Sequence, residues 1–229
     1  MDQTEKRATS PEQPRVLVIY YSFSGQTGGL LNRLTAGLKE TGVEVVAERL
    51  YPEPPLRFPL NSIPRTLVMM LTTFLRCRVP IQPLANSCRE RFDLVILAGP
   101  TWSYNPSGPV LSFLDRDGEL LSGQVVLSII SCRGYWRLHW YGLRRRLRRL
   151  GAVVLSPFVF DHPQPEPWRT LGVFLKIAGR APERGRFLGR YYQRFGHSKE
   201  QQERAWQLGR QLGEHLRGSA SAKDFTAAD

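Results

Sequence analysis

Hydroxyl and glycine residues follow the first apolar run of the sequence in a pattern that suits an anion. The run VLVIYY, residues 16–21, leads into Ser22, Ser24, Gly25 and Thr27, and leucines at helical spacing come next. A loop that runs from a buried strand into a helix offers unpaired backbone N–H groups and the positive end of the helix dipole, which favour a phosphate. The alternative is a Ser/Thr turn that caps the helix and binds no ligand.

Two nucleotide-binding patterns are absent from this loop. It contains neither GxxxxGK followed by Ser or Thr nor GxGxxG. The sequence therefore predicts a terminal monophosphate here, and neither a nucleoside triphosphate nor NAD in its usual dinucleotide site.

Two later loops combine aromatic residues with small polar ones. Residues 99–106 contain Trp102 and Tyr104 directly after the apolar run DLVILAG, and residues 131–136 contain Gly134 and Tyr135 after VVLSII. Aromatic rings can stack on a planar ligand, although they could equally cover the end of a sheet. Together with a phosphate site, the two loops predict a pocket for FMN.

The elements that must position these loops alternate between strands and helices. Strands are predicted at residues 16–21, 43–49, 93–99, 125–130 and 152–160. Helices are predicted after the first, third and fourth strands, over 65–78, and after Ser198, which forms a capping box with Gln201. The segment 161–196 is predicted to be irregular. This order predicts an α/β fold with a doubly wound five-stranded parallel sheet and helices on both faces, which binds ligands at the carboxyl ends of its strands.

Three motifs in the expected order resemble those of the flavodoxin-like superfamily. They are S-x-S-G-x-T after the first strand, DLVILAGPTW followed by Pro-Ser-Gly-Pro-Val, and a glycine-containing loop after the fourth strand. The resemblance covers about residues 15–160 and the terminal helix, and it implies the strand order 2-1-3-4-5. ERLYPEPPLRFP and SCRGYW further resemble a bacterial subgroup named dialkylresorcinol-condensing enzymes or NAD(P)H-dependent oxidoreductases.

The resemblance implies a role for each loop in binding FMN. The residues implied for the phosphate are Ser22, Ser24, Gly25, Gln26 and Thr27. Those implied for the isoalloxazine are Pro100, Thr101, Trp102, Ser103, Tyr104, Asn105, Cys132, Arg133, Gly134 and Tyr135. The flavin would carry the chemistry, so no side chain is predicted to be catalytic. Cys132 is interpreted as a small buried residue, and no cysteine–histidine arrangement supports carbon–carbon condensation.

One domain accounts for the 229 residues. It is predicted to span 15–217, with insertions at about 51–88 and 161–197 and flexible tails at 1–14 and 218–229. The sequence contains three cysteines without a CxxC pair and four scattered histidines, so neither a disulfide framework nor a metal site is predicted. The cysteine pattern favours a cytoplasmic location. No apolar segment approaches the roughly 20 residues that a membrane-spanning helix needs.

The formal charge of +12 bears on the binding partners of the protein rather than on its fold. Two arginine clusters lie in the predicted third helix and in the second insertion: Arg144, Arg145, Arg146, Arg148, Arg149, Arg180, Arg184, Arg186, Arg190 and Arg194. A solvated helix face explains the first cluster. The other hypotheses are attraction of NADPH, an acidic redox protein or peripheral contact with an anionic membrane. Nucleic acid is not expected, because the aromatic residues lie in the ligand loops.

The leading hypothesis is an FMN-dependent oxidoreductase that reduces a quinone or another small electrophile with NAD(P)H by ping-pong hydride transfer. The long insertions favour it, since they can build a substrate cavity. One alternative is an electron-transfer or binding module without a substrate of its own, which docks an acidic partner. Another is a relative of the fold that binds no cofactor. The sequence allows a homo-oligomer and does not fix the oligomeric state.

Overall fold

A central parallel sheet organises the protein, as a computed structural model describes it for residues 13–192, 195–218 and 222–225. Over these residues the strands are β1 (Arg15–Tyr20), β2 (Glu44–Arg49), β3 (Leu94–Trp102), β4 (Asn105–Pro106), β5 (Val125–Cys132), β6 (Val153–Val154) and β7 (Phe158–Asp161). The order is β2-β1-β3-β5, and both β6 and β7 pair with the outer edge of β5. All pairs are parallel except β3 with β4. Counted over the five predicted strands, the order is the expected 2-1-3-4-5, and the predicted fold class is confirmed.

Helices cover both faces because the central strands are apolar throughout. Val16 and Val18 of β1 point into a core with α1 (Gln26–Glu40) and α6 (Lys199–Gly218). Leu17 and Ile19 point the other way, toward α3 (Gly108–Arg116) and α4 (Trp136–Arg149). This alternation follows from the two-residue period of a strand, and a sheet covered on both faces needs apolar residues at both parities.

Two further helices lie in the predicted insertions. α2 (Ile63–Phe74) begins at Ser62, whose hydroxyl accepts a hydrogen bond from the Arg65 N–H (3.4 Å), and it ends before Arg76, which has a φ of 57°. The helix therefore begins and ends closer to the N-terminus than the predicted range of 65–78. α5 (Trp168–Ile177) occupies the segment predicted to be irregular, so that prediction was wrong over these residues. The two helices contact each other, and just before α2 the Leu60 N–H donates to the carbonyl of Ile177 at the end of α5 (2.8 Å).

The predicted fifth strand is interrupted. β6 pairs with the start of β5 and β7 with its end, while residues 155–157 form no strand. Pro157 has no N–H to donate to a neighbouring strand, which explains the break.

The predicted tails fall mainly outside the described residues. Residues 1–12, 219–221 and 226–229 lie outside, whereas Ala222–Asp224 form one 3-10 turn in which Ala222 is buried. Phe225 packs against the α1–α6 core. Part of the predicted C-terminal tail is therefore folded.

Candidate functional site

The first predicted loop leaves a row of backbone N–H groups without partners at the start of α1. Ser22 is buried, and its hydroxyl accepts a hydrogen bond from the Gly28 N–H (3.1 Å), which holds the loop against the helix. Gly25 turns the chain with a φ of 82°, and its carbonyl accepts the first helical bond, from Gly29 (2.9 Å). In the described part of the chain, the N–H groups of residues 24–27 have no hydrogen-bond partner.

The charges around this loop favour an anion. The first turn of α1 contains no acidic residue that could neutralise the positive helix end. Arg49, at the end of β2, donates a hydrogen bond to the Ser22 carbonyl (3.3 Å) and adds a positive charge. A Cβ built on Gly25 would meet no atom within 4 Å, so the loop has open space beside it. A terminal phosphate fits these features.

Aromatic side chains form an apolar wall beside the loop. Trp102 contacts Phe23 edge-to-face, with 5.5 Å between the ring centroids, and Phe23 contacts Phe58 in the same way at 5.2 Å. Phe58 is in turn stacked with Phe195 at 5.8 Å. The wall suits a ligand whose phosphate is joined to an apolar part.

The turn between β3 and β4 is held in a strained conformation. Trp102 pairs with Asn105, and the residues between them, Ser103 and Tyr104, have φ values of 43° and 69°. A two-residue turn of this kind favours glycine or asparagine, and left-handed φ costs other residues about 1–2 kcal/mol each. The Ser103 hydroxyl donates to the Met70 carbonyl (3.0 Å), so packing against α2 holds the turn in place.

Asn105 does not face the cleft. Its Oδ1 accepts a hydrogen bond from Arg76 Nε (2.7 Å), and its amide group lies 3.0–3.3 Å from the carbonyls of Ser103, Thr73 and Phe74. These hydrogen bonds occupy the polar atoms of the Asn105 side chain and connect β4 to the end of α2. The Asn105 side chain therefore does not line the cleft, and a position of this residue beside the isoalloxazine stays a prediction.

Tyr104 and Tyr135 lie at the rim. Their rings contact each other edge-to-face at 5.4 Å, and the two residues are 43% and 45% exposed. They join the second and third loops outside the cleft. Of the aromatic residues predicted for stacking, Trp102 is the one whose side chain lines the cleft.

The third loop brings a protonated thiol to the cleft. Burial raises the pKa of Cys132 to about 11, and the Gly134 N–H donates to its Sγ (3.3 Å). Gly134 has a φ of 115°, and a Cβ there would lie 2.8 Å from the Arg169 guanidinium of α5. Since the thiolate is the nucleophile, Cys132 is not a nucleophile at neutral pH.

His162 lines the same side of the cleft as a neutral ring. Its Nδ1 accepts a hydrogen bond from the Gln164 N–H (3.3 Å), so Nε2 carries the proton and faces the Tyr192 hydroxyl (3.2 Å). Burial lowers the pKa of His162 to about 4. His162 therefore adds polarity to the cleft without charge at neutral pH.

The three predicted loops meet at one cleft. The predicted residues that line it are Ser24, Gln26, Thr27, Pro100, Thr101, Trp102, Ser103, Cys132 and Arg133. The predicted residues that lie in these loops outside the lining are Ser22, Gly25, Tyr104, Asn105, Gly134 and Tyr135. Among the described residues, no group of histidine, cysteine or acidic side chains could hold a metal ion.

Solved flavoproteins share this architecture. The structure matches flavodoxin 1 from Bacillus cereus with a TM-score of 0.50 and 16% identity, over 90% of this chain and 99% of that one. It matches a flavoprotein from Lactobacillus acidophilus NCFM in complex with FMN with a TM-score of 0.50 and 17% identity, over 64% and 93%. The fold is flavodoxin-like.

A larger protein contains the same fold. The flavodiiron protein from Giardia intestinalis matches with a TM-score of 0.50 and 17% identity, over 90% of this chain. This chain covers 37% of that protein. No family model matches the sequence. The likeness concerns the fold, and function must be argued from the site.

Both insertions contribute to the cleft of this flavodoxin-like fold. α2 supplies Met69, Met70 and Thr73, and α5 supplies Val173, Phe174 and Ile177. The end of β5 adds Ser131, and loops add Phe23, Phe58, His162 and Phe195. Sequence analysis missed these residues as site residues. The available signal was the apolar character of the two insertions, which predicts a covered cavity without naming its lining.

A second neutral histidine supports the second loop. His139 of α4 is buried, and its Nδ1 lies 2.8 Å from the Thr101 hydroxyl. Burial lowers the pKa of His139 to about 3. A histidine whose folded pKa lies below its unfolded value of about 6.5 takes up its proton more readily in the unfolded chain. Its contribution to stability is therefore complete above the unfolded pKa and falls as the pH drops below it.

We expect His139 to contribute to loss of stability in mild acid. Between pH 7 and pH 5, this one group lowers the free energy of unfolding by about 2 kcal/mol. Urea unfolding at the two pH values measures the loss in the native chain and in His139→Leu. The variant should lose about 2 kcal/mol less than the native chain over this interval. An equal loss in both proteins would show that His139 is not buried in its neutral form.

The predicted arginine cluster of the third helix forms a basic face on α4. Arg144, Arg145, Arg148 and Arg149 are exposed, whereas Arg146 is partly buried and pairs with Asp115. Of the second cluster, Arg180, Arg184, Arg186 and Arg190 are exposed as well, and Arg194 lies outside the described residues.

Proposed function

We propose that this protein binds FMN and transfers hydride from NAD(P)H to a quinone or another small electrophile. The observation that carries the proposal is the row of unpaired N–H groups at residues 24–27, since this loop lines an apolar cleft together with two further loops. FMN joins a terminal phosphate to a planar ring through a short chain. These two parts match the two kinds of group that meet in this cleft, free backbone N–H groups and apolar or aromatic side chains.

Each part of the cleft has a role in this proposal. The N–H groups of residues 24–27, with the hydroxyls of Ser24 and Thr27, hold the phosphate. Residues 100–103 and 131–133 border the ring. FMN, when bound, supplies two-electron redox chemistry, taking hydride from a reduced nicotinamide and passing electrons to the acceptor.

The remaining residues of the cleft control its charge and its access to water. Met69, Met70 and Phe174 form an apolar cover that excludes water from the reacting atoms. Arg133 is the one permanent cation among the described residues of the lining, and it favours negative charge on a ligand next to it. Neutral Cys132 and His162 do not oppose this effect.

FMN loading followed by reduction tests the proposal. Purified protein incubated with FMN and freed of excess cofactor should remain yellow, and anaerobic NADPH or NADH should bleach the flavin band. Addition of a soluble quinone should restore the band with one turnover per equivalent of quinone. A flavin that stays oxidised with both nicotinamides would contradict the reductase. A protein that does not retain FMN would contradict the binding site itself.

The basic face of α4 favours a second candidate function, electron transfer to an acidic redox protein. α4 begins directly after Tyr135 of the Tyr104–Tyr135 pair, and the exposed arginines of the basic face lie about 12–20 Å further along the helix, in its second half. Reduction by a partner reductase that slows steeply with salt, without direct oxidation of NAD(P)H, would support this function over the first. Because its three cysteines are free, we place either activity in the reducing cytoplasm.

A further inference from the structure

α2 buries two threonines and exposes most of its large apolar residues. Thr66 and Thr73 are buried, and their hydroxyls donate to the carbonyls of Ser62 (2.8 Å) and Met70 (2.9 Å). Six large apolar residues on the helix and at its end are 43–63% exposed: Ile63, Leu67, Val68, Leu71, Phe74 and Leu75. We name these six residues the apolar face of α2.

The apolar face is continuous. At about 100° of rotation per residue, the six positions fall within an arc of roughly 140°. The buried threonines and the cleft-lining Met69 fall on the opposite side, and Met70, which also lines the cleft, falls at the boundary, about 20° from Ile63. A soluble protein seldom exposes so many large apolar side chains on one helix face unless that face binds something.

The chain segment that carries this face contains basic residues and no acidic residue. No acidic residue lies between Glu53 and Glu90, whereas Arg57, Arg65, Arg76, Arg78 and Arg89 do. Within the described residues, Arg57 and Arg65 have no ion-pair partner, while Arg78 pairs with Asp115 (2.6 Å) and Arg89 with Asp117 (3.8 Å).

We propose that the apolar face of α2 docks the protein on an anionic membrane surface. Apolar residues on one side of a helix with arginines at its flanks are the features of helices that lie in the interface of a bilayer. A second copy of the chain fits less well, because it would bring these arginines against their own copies without acidic partners. α2 has 12 residues, and no described helix is long and apolar enough to cross a membrane, so the helix lies on the surface.

This docking would place the mouth of the cleft at the bilayer. The inward side of the same helix lines the cleft through Met69, Met70 and Thr73. A lipid-soluble acceptor could then pass beside α2 without crossing water. This consequence for the substrate rests on the proposed reductase function, whereas the docking itself does not.

Vesicle sedimentation tests the docking separately from the redox activity. The full-length protein should bind vesicles of phosphatidylglycerol and phosphatidylcholine and bind pure phosphatidylcholine at least about tenfold more weakly. The double variant Leu71→Asn/Phe74→Asn should lose at least about tenfold of the binding to anionic vesicles, and Arg65→Glu about tenfold. Leu138→Asn is the matched control, because Leu138 is 62% exposed on α4, and it should bind like the native chain.

Three results would overturn the docking proposal. One is native protein that does not sediment with anionic vesicles. Another is a Leu71→Asn/Phe74→Asn variant that binds as well as the native chain while retaining its circular dichroism spectrum and melting temperature. The third is a native dimer in light scattering that this variant converts to a monomer, which would assign the face to a second copy. A protein that binds vesicles but does not oxidise NAD(P)H would support the docking proposal and contradict the reductase proposal.

Discussion

Gly37→Ala is expected to destabilise the protein by about 3 kcal/mol. Gly37 is buried on α1, where the helix crosses α6, and a Cβ at this position would lie 2.9 Å from the Arg210 N and closer still to the Trp206 carbonyl oxygen. Both atoms belong to the backbone of α6, so no side chain can rotate away. Gly209 makes the reciprocal approach from α6 to the backbone of Leu34 and Leu38.

The same substitution eight residues earlier is the matched control. Gly29 also lies within α1, but a Cβ there would meet no atom within 4 Å. Gly29→Ala should raise the free energy of unfolding by about 0.5–1 kcal/mol, because alanine restricts the unfolded chain and favours the helix. One helix therefore provides two alanine substitutions with opposite expected signs.

Urea unfolding followed by circular dichroism measures both variants. Their free energies of unfolding should differ by about 4 kcal/mol, which is a large share of the stability of a domain of this size. A difference below about 1 kcal/mol would mean that the backbones of α1 and α6 are not in contact at Gly37. This packing matters for the site. The loop of residues 22–27, which we name the anion loop, leads into α1. α6 begins beside His197, whose Nε2 lies 2.9 Å from the Ser131 hydroxyl.

Local patterns predicted the elements around the sheet but failed in the second insertion. The capping box formed, with Ser198 and Gln201 exchanging hydrogen bonds of 3.0 and 3.2 Å between side chain and backbone N–H. α5 was missed because Pro163, Pro165 and Pro167 precede it, and these prolines suggested irregular structure over the whole segment. Proline disrupts a helix when it lies in the helix interior, whereas it is tolerated directly before the helix.

The loops of the candidate site could be predicted, and their cover could not. A strand followed by hydroxyls, glycine and a helix is a local pattern, and parallel strands bring three such loops to one edge. The contacts of Met70 with Ser103 and of Phe58 with Phe195 join residues far apart in sequence. A short sequence segment contains no information on contacts between such distant residues. For the same reason, the hydrogen bonds of Asn105 to the end of α2 could not be predicted.

Ser24→Asp is expected to lower the affinity for FMN by about 100-fold, provided that the anion loop holds the phosphate as proposed. The carboxylate would accept hydrogen bonds from the free N–H groups of residues 24–27 and would repel the phosphate. A 100-fold loss corresponds to about 2.7 kcal/mol of binding free energy. The fold should be unaffected, since a carboxylate at a helix N-terminus stabilises the helix by about 0.3–1 kcal/mol.

Riboflavin separates the phosphate from the ring in this test. It has the same ring as FMN but no phosphate, so Ser24→Asp should leave its affinity within about threefold of the native value, well below the tenfold that 1.4 kcal/mol would cause. Ser24→Asn provides a neutral side chain of similar size and should weaken FMN by less than about tenfold, as expected for one lost hydrogen bond. Fluorescence quenching titrations give both affinities. Equal losses for FMN and riboflavin would place the effect on the ring rather than the phosphate, and no loss for FMN would remove residues 24–27 from the binding site.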